Sequence, residues 1–163
     1  FARSGNVFDQ AKRFMEKVGP LESNERLCLD LEVSPASSQE RALDWVDAFY
    51  HELMGGSCSD QRPFIYTSKR KWDEICGGKP WALASEIDLW APRYNTVGAE
   101  PKMPRPWEKR GWSIWQWSDG DFPPHELAGI GECDGNYWRG AEDDLRAYMD
   151  TVVSRGREET PVT

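Results

Sequence analysis

Histidine is scarce in this chain: His51 and His125 are the only two. Neither stands at ligand spacing from a cysteine, and Cys28, Cys58, Cys76 and Cys133 include no C-x-x-C pair, so a metal centre has no support and no cofactor is expected. No serine or cysteine has a suggested histidine partner, which leaves nucleophilic hydrolase chemistry weak. No run approaches the roughly 20 apolar residues of a membrane span. The N-terminus lacks a signal-peptide pattern, and a mature secreted protein and a cytosolic one both fit that. Positive charge is in deficit: 20 Lys and Arg stand against 28 Asp and Glu, a formal charge of −8. Phosphate binding needs a basic face, so the charge argues against a nucleic-acid partner. A substrate without strong negative charge is expected, or one met by a locally different field. Internal repeats and low-complexity linkers are absent, which favours one domain over residues 1–154 and a polar tail over 155–163.

Tryptophan, by contrast, is abundant, with nine in 163 residues. Large core residues are the plain explanation. A surface on which sugar rings stack is the sharper one, and composition does not choose. Cys58 and Cys76 flank a short strand–helix segment, where a local disulfide and two free, partly buried thiols are both open. Cys28 and Cys133 fall on separate strands and make a poor bridge.

Strands and helices alternate along the chain. Val7, Phe8, Ala11, Phe14, Met15 and Val18 recur at helical spacing, and Gly19-Pro20 ends that helix. Leu27 to Val33 reads as a short strand. Ser37-Ser38-Gln39-Glu40 is a capping box for a helix striped by Ala42, Trp45, Val46, Phe49 and Leu53 and ended by Gly55-Gly56. Pro63 to Thr67 is a strand, and Lys69 to Cys76 a helix closed by Gly77-Gly78. Ile87 to Ala91 and Trp112 to Trp117 are strands joined by a proline-rich connection. Ala128 to Asp134 reads as the last strand, and Ala141 to Val153 as a helix with Glu142, Asp143 and Asp144 in its first turn, where the helix dipole favours them. His51 on a helix and His125 in a loop read as surface residues. Such alternation implies about five parallel strands with crossover helices, an α/β fold.

The chemistry concentrates at Leu27-Cys28-Leu29-Asp30-Leu31-Glu32. Side chains alternate along a strand, so the leucines take one side and Cys28, Asp30 and Glu32 the other. Two carboxylates then lie about 6–7 Å apart at the backbone. In a partly closed site such a pair does not ionise independently. Glycosidic cleavage needs that asymmetry: one group gives a proton to the leaving oxygen, and another stabilises positive charge. A solvated strand end carrying two inert acids is the alternative.

Leu29-Asp30-Leu31-Glu32 resembles the D-x-E strand of glycoside hydrolase family 25. Further landmarks come in that family's order: Phe64-Ile65-Tyr66-Thr67, Leu89-Trp90-Ala91 with Tyr94, Ile114-Trp115-Gln116, Gly129-Ile130, and Asp134 with Asn136. Phe1-Ala2-Arg3 resembles the residues directly after a Tyr-His at the end of the family's third strand. The family's first three strands have no counterpart, nor do its N-terminal Asp and that Tyr-His. Cys133-Asp134-Gly135-Asn136 also has Gly where an apolar residue is usual.

The resemblance implies an incomplete, TIM-like (β/α) barrel and a muramidase that cuts the β-1,4 bond between N-acetylmuramic acid and N-acetylglucosamine. Glu32 matches the general acid and Asp30 its partner, with the substrate's acetamide assisting in place of a protein nucleophile. Tyr66, Trp90, Tyr94, Gln116 and Asp134 match positions at the C-terminal strand ends, where barrel sites collect and substrate is held. The implied partner is a peptidoglycan strand, and the implied location is extracellular or phage-delivered to the cell wall. A non-catalytic saccharide-binding or scaffold remnant of the fold is the alternative. An open barrel edge would need covering, and a homodimer or another partner would supply it.

Overall fold

The computed structural model describes residues 6–22, 25–55, 63–94 and 99–150. Phe1-Ala2-Arg3, Cys58 and the tail at 155–163 lie outside them. Helix α1 (Val7–Val18) begins at Asn6, whose side chain accepts the Phe8 N–H, and ends at Gly19 with φ 74°. Strand β1 (Cys28–Asp30) is followed by α2 (Gln39–Gly55), β2 (Phe64–Tyr66) and α3 (Lys69–Cys76). Strand β3 (Asp88–Pro92) connects to β4 (Ile114–Ser118) through the proline-rich segment. Among its described residues that connection carries one 3-10 turn, Arg105–Trp107, and no α-helix. The chain finishes with β5 (Glu126–Leu127), β6 (Gly131–Glu132), β7 (Gly135–Trp138) and α4 (Glu142–Asp150).

Five strands form one open sheet in the order β1-β2-β3-β4-β7. The first four are parallel, as the strand–helix alternation implies, but β7 runs antiparallel to β4. The expected last strand over Ala128 to Asp134 does not form. Gly129 (φ 82°) and Gly131 (φ 87°) take left-handed conformations there, folding the segment into a β5–β6 hairpin. Without a crossover helix the chain returns beside β4 in the antiparallel sense. No closed barrel exists among the described residues, and β1 and β7 are the sheet edges.

Registered neighbours share a face, so the pairing sorts the sheet. Ile65, Leu89 and Ala91 belong to the face that packs under helices. They join Ala11 of α1, Trp45, Val46, Phe49 and Leu53 of α2, and Trp72 and Ile75 of α3 in one core. Each Val, Leu, Ile or Phe among them contributes roughly 1.5–3 kcal/mol by leaving water. Phe8 and Val18, counted on the apolar stripe of α1, stay 53% and 39% exposed. Helix α2 adds Tyr50, fully buried, whose hydroxyl donates to the Phe64 carbonyl at 2.6 Å.

The opposite face carries Asp30, Tyr66, Trp90, Gln116 and Asn136 at one end, and Phe64, Asp88 and Trp138 at the other. That second end is closed. The ring of Tyr148 on α4 packs on Phe64 and Trp138, and its hydroxyl donates to Asp88 at 2.6 Å. Arg110 and Ser113 also donate to the Asp88 carboxylate, which is only 2% exposed. A buried charge satisfied three times holds that end shut. The C-terminal strand ends are the accessible part of this face.

Candidate active site

Leu31 fixes where the paired carboxylates stand. Its side chain is fully buried, its N–H donates to the Tyr66 carbonyl at 2.9 Å, and its own carbonyl accepts from the Thr67 hydroxyl at 3.0 Å. Both backbone groups of Leu31 are therefore tied to β2, although the regular strand stops at Asp30 and not at Val33. Asp30 immediately before it is exposed, and Glu32 immediately after it is half-buried. The anchored leucine sets the backbone on which both acids ride.

Tyr66 pairs in register with Asp30 on one side and Trp90 on the other. Its hydroxyl donates to Gln116 Oε1 at 2.6 Å and lies 3.0 Å from the Tyr94 hydroxyl. Tyr94 reaches the same Gln116 oxygen at 3.3 Å. Either phenol can be the donor between Tyr66 and Tyr94, and both hydroxyls donate towards the Gln116 oxygen, so the three side chains form a closed triangle. Gln116 is almost wholly buried and makes the rigid base of that triangle. Trp90 stands edge-on to Tyr66 at 5.6 Å, and its indole N–H donates to Asn136 at 2.9 Å.

Electrostatics ties the acids to these phenols. Burial pushes the Tyr66 hydroxyl well above the usual tyrosine range, and the Tyr94 hydroxyl and the charges of Glu32 and Asp30 add to it. Burial also raises Tyr94, against the hydrogen bond from Tyr66, and Asp119, Glu32 and Asp134 reinforce the rise. Both phenols stay neutral, with their protons held in the triangle around Gln116.

Of the seven residues singled out in the sequence, Asp30, Tyr66, Trp90 and Gln116 share one end of one sheet face, Tyr94 joins them by hydrogen bonds, and the charges of Glu32 and Asp134 act on Tyr94 from outside the strands. Two more join them. Asn136 orients Trp90, and Asp119 comes directly after β4, with a side chain that accepts the Phe122 N–H and a charge that acts on Tyr94. No motif in the sequence marks Asp119, and β4 runs one residue beyond the expected strand end at Trp117. The unusual Gly135 has a steric reason. The β4–β7 register skips Trp117, and a Cβ on Gly135 would stand 2.4 Å from that indole.

The histidines and cysteines divide. His51 is exposed on α2, beside Asp47. His125 is half-buried: it packs edge-on against Trp117 at 5.0 Å, with Nδ1 2.9 Å from the Cys133 carbonyl and 3.5 Å from Cys133 Sγ. The β5–β6 hairpin brings these partners together, and no local spacing announces them. Cys28, Cys76 and Cys133 are free thiols, and burial pushes Cys28 and Cys76 up to about 12. No group of three or more metal-ligating side chains occurs among the described residues.

Solved structures share this fold. A muramidase from Acremonium alcalophilum superposes with a TM-score of 0.69 at 24% identity, over 90% of this chain and 68% of that one. A bacterial lysozyme from Streptomyces coelicolor gives 0.70 at 21% identity, over 90% and 67%. A family GH25 lysozyme from Aspergillus fumigatus gives 0.70 at 22%, over 89% and 67%. At these identities the likeness establishes the fold. No curated protein matches the chain. The family model of glycosyl hydrolases family 25 matches residues 1–123, which takes in β1 to β4 and leaves out Asp134 and β7. Over that span, which is most of its length, the chain belongs to glycosyl hydrolase family 25 and is a glycoside hydrolase.

Proposed function

We propose that this protein is a peptidoglycan hydrolase that cuts the β-1,4 bond between N-acetylmuramic acid and N-acetylglucosamine, with Glu32 as general acid. The observation that carries this is Asp30 in register beside Tyr66 at the open strand ends, with Glu32 following on the anchored Leu31 and its charge acting on both Tyr66 and Tyr94. Glu32, half-buried, delivers a proton to the leaving oxygen. Asp30, more exposed, orients the substrate's acetamide and stabilises positive charge at the anomeric carbon. The acetamide oxygen forms the new bond to that carbon as the glycosidic bond breaks, and water then opens the ring so formed. Gln116 holds the Tyr66 and Tyr94 hydroxyls, whose oxygens accept from sugar hydroxyls, and Asp134 accepts from another. Such an enzyme works at the cell wall, either outside the cell or delivered by phage. No helix among the described residues is long and apolar enough to cross a membrane.

Trp90 supplies the stacking surface in this scheme, since its ring is half-exposed beside Tyr66. Trp90→Ala is expected to weaken glycan binding by about tenfold, the scale of one lost aromatic contact of roughly 1.4 kcal/mol. Its cost in thermal stability should be the smaller effect. Calorimetric titration with chitooligosaccharide or muropeptide, beside a melting curve, separates the two. A large fall in melting temperature with unchanged affinity would return Trp90 to a packing role.

Strand β1 is a sheet edge, and a parallel sheet normally has its edges covered. A second copy of the chain, or another partner, covers it in solution. Light scattering at micromolar concentration should return the mass of a dimer, with a contact of roughly 1,000 Å² or more. A monomer mass removes the homodimer.

A further inference from the structure

One pocket runs against the overall charge. A cavity of about 480 Å³ beside the C-terminal ends of β2 and β3 is lined by Lys69, Arg70, Arg93 and Lys102, with Asp73 the single acid among its described residues. In a chain with a formal charge of −8, four cations around one cavity are a local reversal of field. Lys69 pairs with Asp73, and Arg93 donates to the Glu100 carbonyl at 2.5 Å, which holds both near the wall. Arg70 and Lys102 are the exposed cations of the lining. Pro92 and Pro101 stiffen the wall between them.

The pocket adjoins the site through the backbone. Ser68 in its lining is two residues past Tyr66, and Arg93 directly precedes Tyr94. Two residues of extended chain span roughly 7 Å. That is the length of a short side branch on a sugar bound over Tyr66 and Trp90. We infer that this cavity is a subsite for the carboxylates of the peptide carried by the muramic acid residue next to the bond that is cut. This rests on the peptidoglycan reading above. With Asp73 taken up by Lys69, the remaining cations suit a ligand that carries carboxylates, and a phosphodiester polymer is the competing anion that the test separates. Arg offers a forked match to carboxylate, and Lys a point charge. The subsite would favour glycan that still bears its peptides.

The double variant Arg70→Ala/Lys102→Ala tests it, because both side chains are exposed and neither belongs to the catalytic set. Titration of the free tripeptide L-alanyl-γ-D-glutamyl-L-lysine is expected to give millimolar binding to the wild type and about tenfold weaker binding to the variant. High salt should weaken the wild type similarly. Equal affinity in both proteins, or none in the wild type, overturns the subsite. Preference for a glycerol-phosphate oligomer over the tripeptide overturns the carboxylate assignment. In turnover, the variant's KM should rise severalfold on peptide-bearing peptidoglycan and stay level on amidase-stripped glycan. An equal rise on both substrates counts against the subsite. Should the wild type cut neither substrate, the hydrolase reading falls, and the tripeptide titration still decides the pocket.

Discussion

Turnover of purified peptidoglycan is expected to fall by about a thousandfold or more in Glu32→Gln, the scale of a lost general acid. That corresponds to roughly 4 kcal/mol of transition-state stabilisation. The substitution keeps shape and hydrogen-bonding reach and removes only the proton that titrates. Stability should barely move, because Leu31 and Thr67 hold this part of the chain through backbone contacts and burial. Asp30→Asn should also lower turnover, by less, since it removes charge stabilisation and leaves proton delivery in place. If the two acids act as one unit, the double variant is no slower than the worse single variant. Wild-type rates in Glu32→Gln would rule out the acid and favour a saccharide-binding protein. That outcome is separable from misfolding, because the melting curve of the same sample reports the fold.

The sequence exposed some of this site because the relevant physics is local. Alternation along Leu27 to Asp30 turns the leucines towards the helices, and burial of Leu27 and Leu31 agrees with it, while Glu32 follows in a bend past the strand end. Helices α1 to α3 begin and end within a residue or so of their expected limits, because caps and glycines mark them. The failures lie where distant residues decide. Ala128 to Asp134 has the length of a strand, yet Gly129 and Gly131 bend it, and Ile130 ends up 72% exposed. His125 is placed by Trp117 and Cys133, which come from β4 and from the far side of the hairpin. The clamp on Asp88 joins Arg110, Ser113 and Tyr148, the last of them 60 residues away. No periodicity records a contact at that separation.

Tryptophan is where composition left two explanations open, and burial divides them by residue. Trp72 and Trp107 are fully buried, whereas Trp90 is half-exposed at the site. Trp107→Ala is therefore expected to cost about 3–5 kcal/mol, the range for removing a buried indole. Its ring meets Trp72 edge-on at 5.2 Å and Trp81 at 5.8 Å, so the loss reaches two other rings. The indole N–H donates to the Ile87 carbonyl at 3.0 Å. That carbonyl also receives Arg110 at 3.3 Å, which spares it from being orphaned and keeps the cost inside the range. Against a typical total of roughly 5–15 kcal/mol this is a large fraction of the folding free energy. The melting temperature should drop by roughly 6–20 °C for a chain of this size. Trp107→Phe should recover about half of the loss, because it restores ring contacts without the N–H or the full volume. Urea titration of both variants beside Trp90→Ala provides the comparison, with m-values unchanged if only the native state is affected. A Trp107→Ala midpoint above that of Trp90→Ala would mean that the aromatic core is not what holds the helices to the sheet.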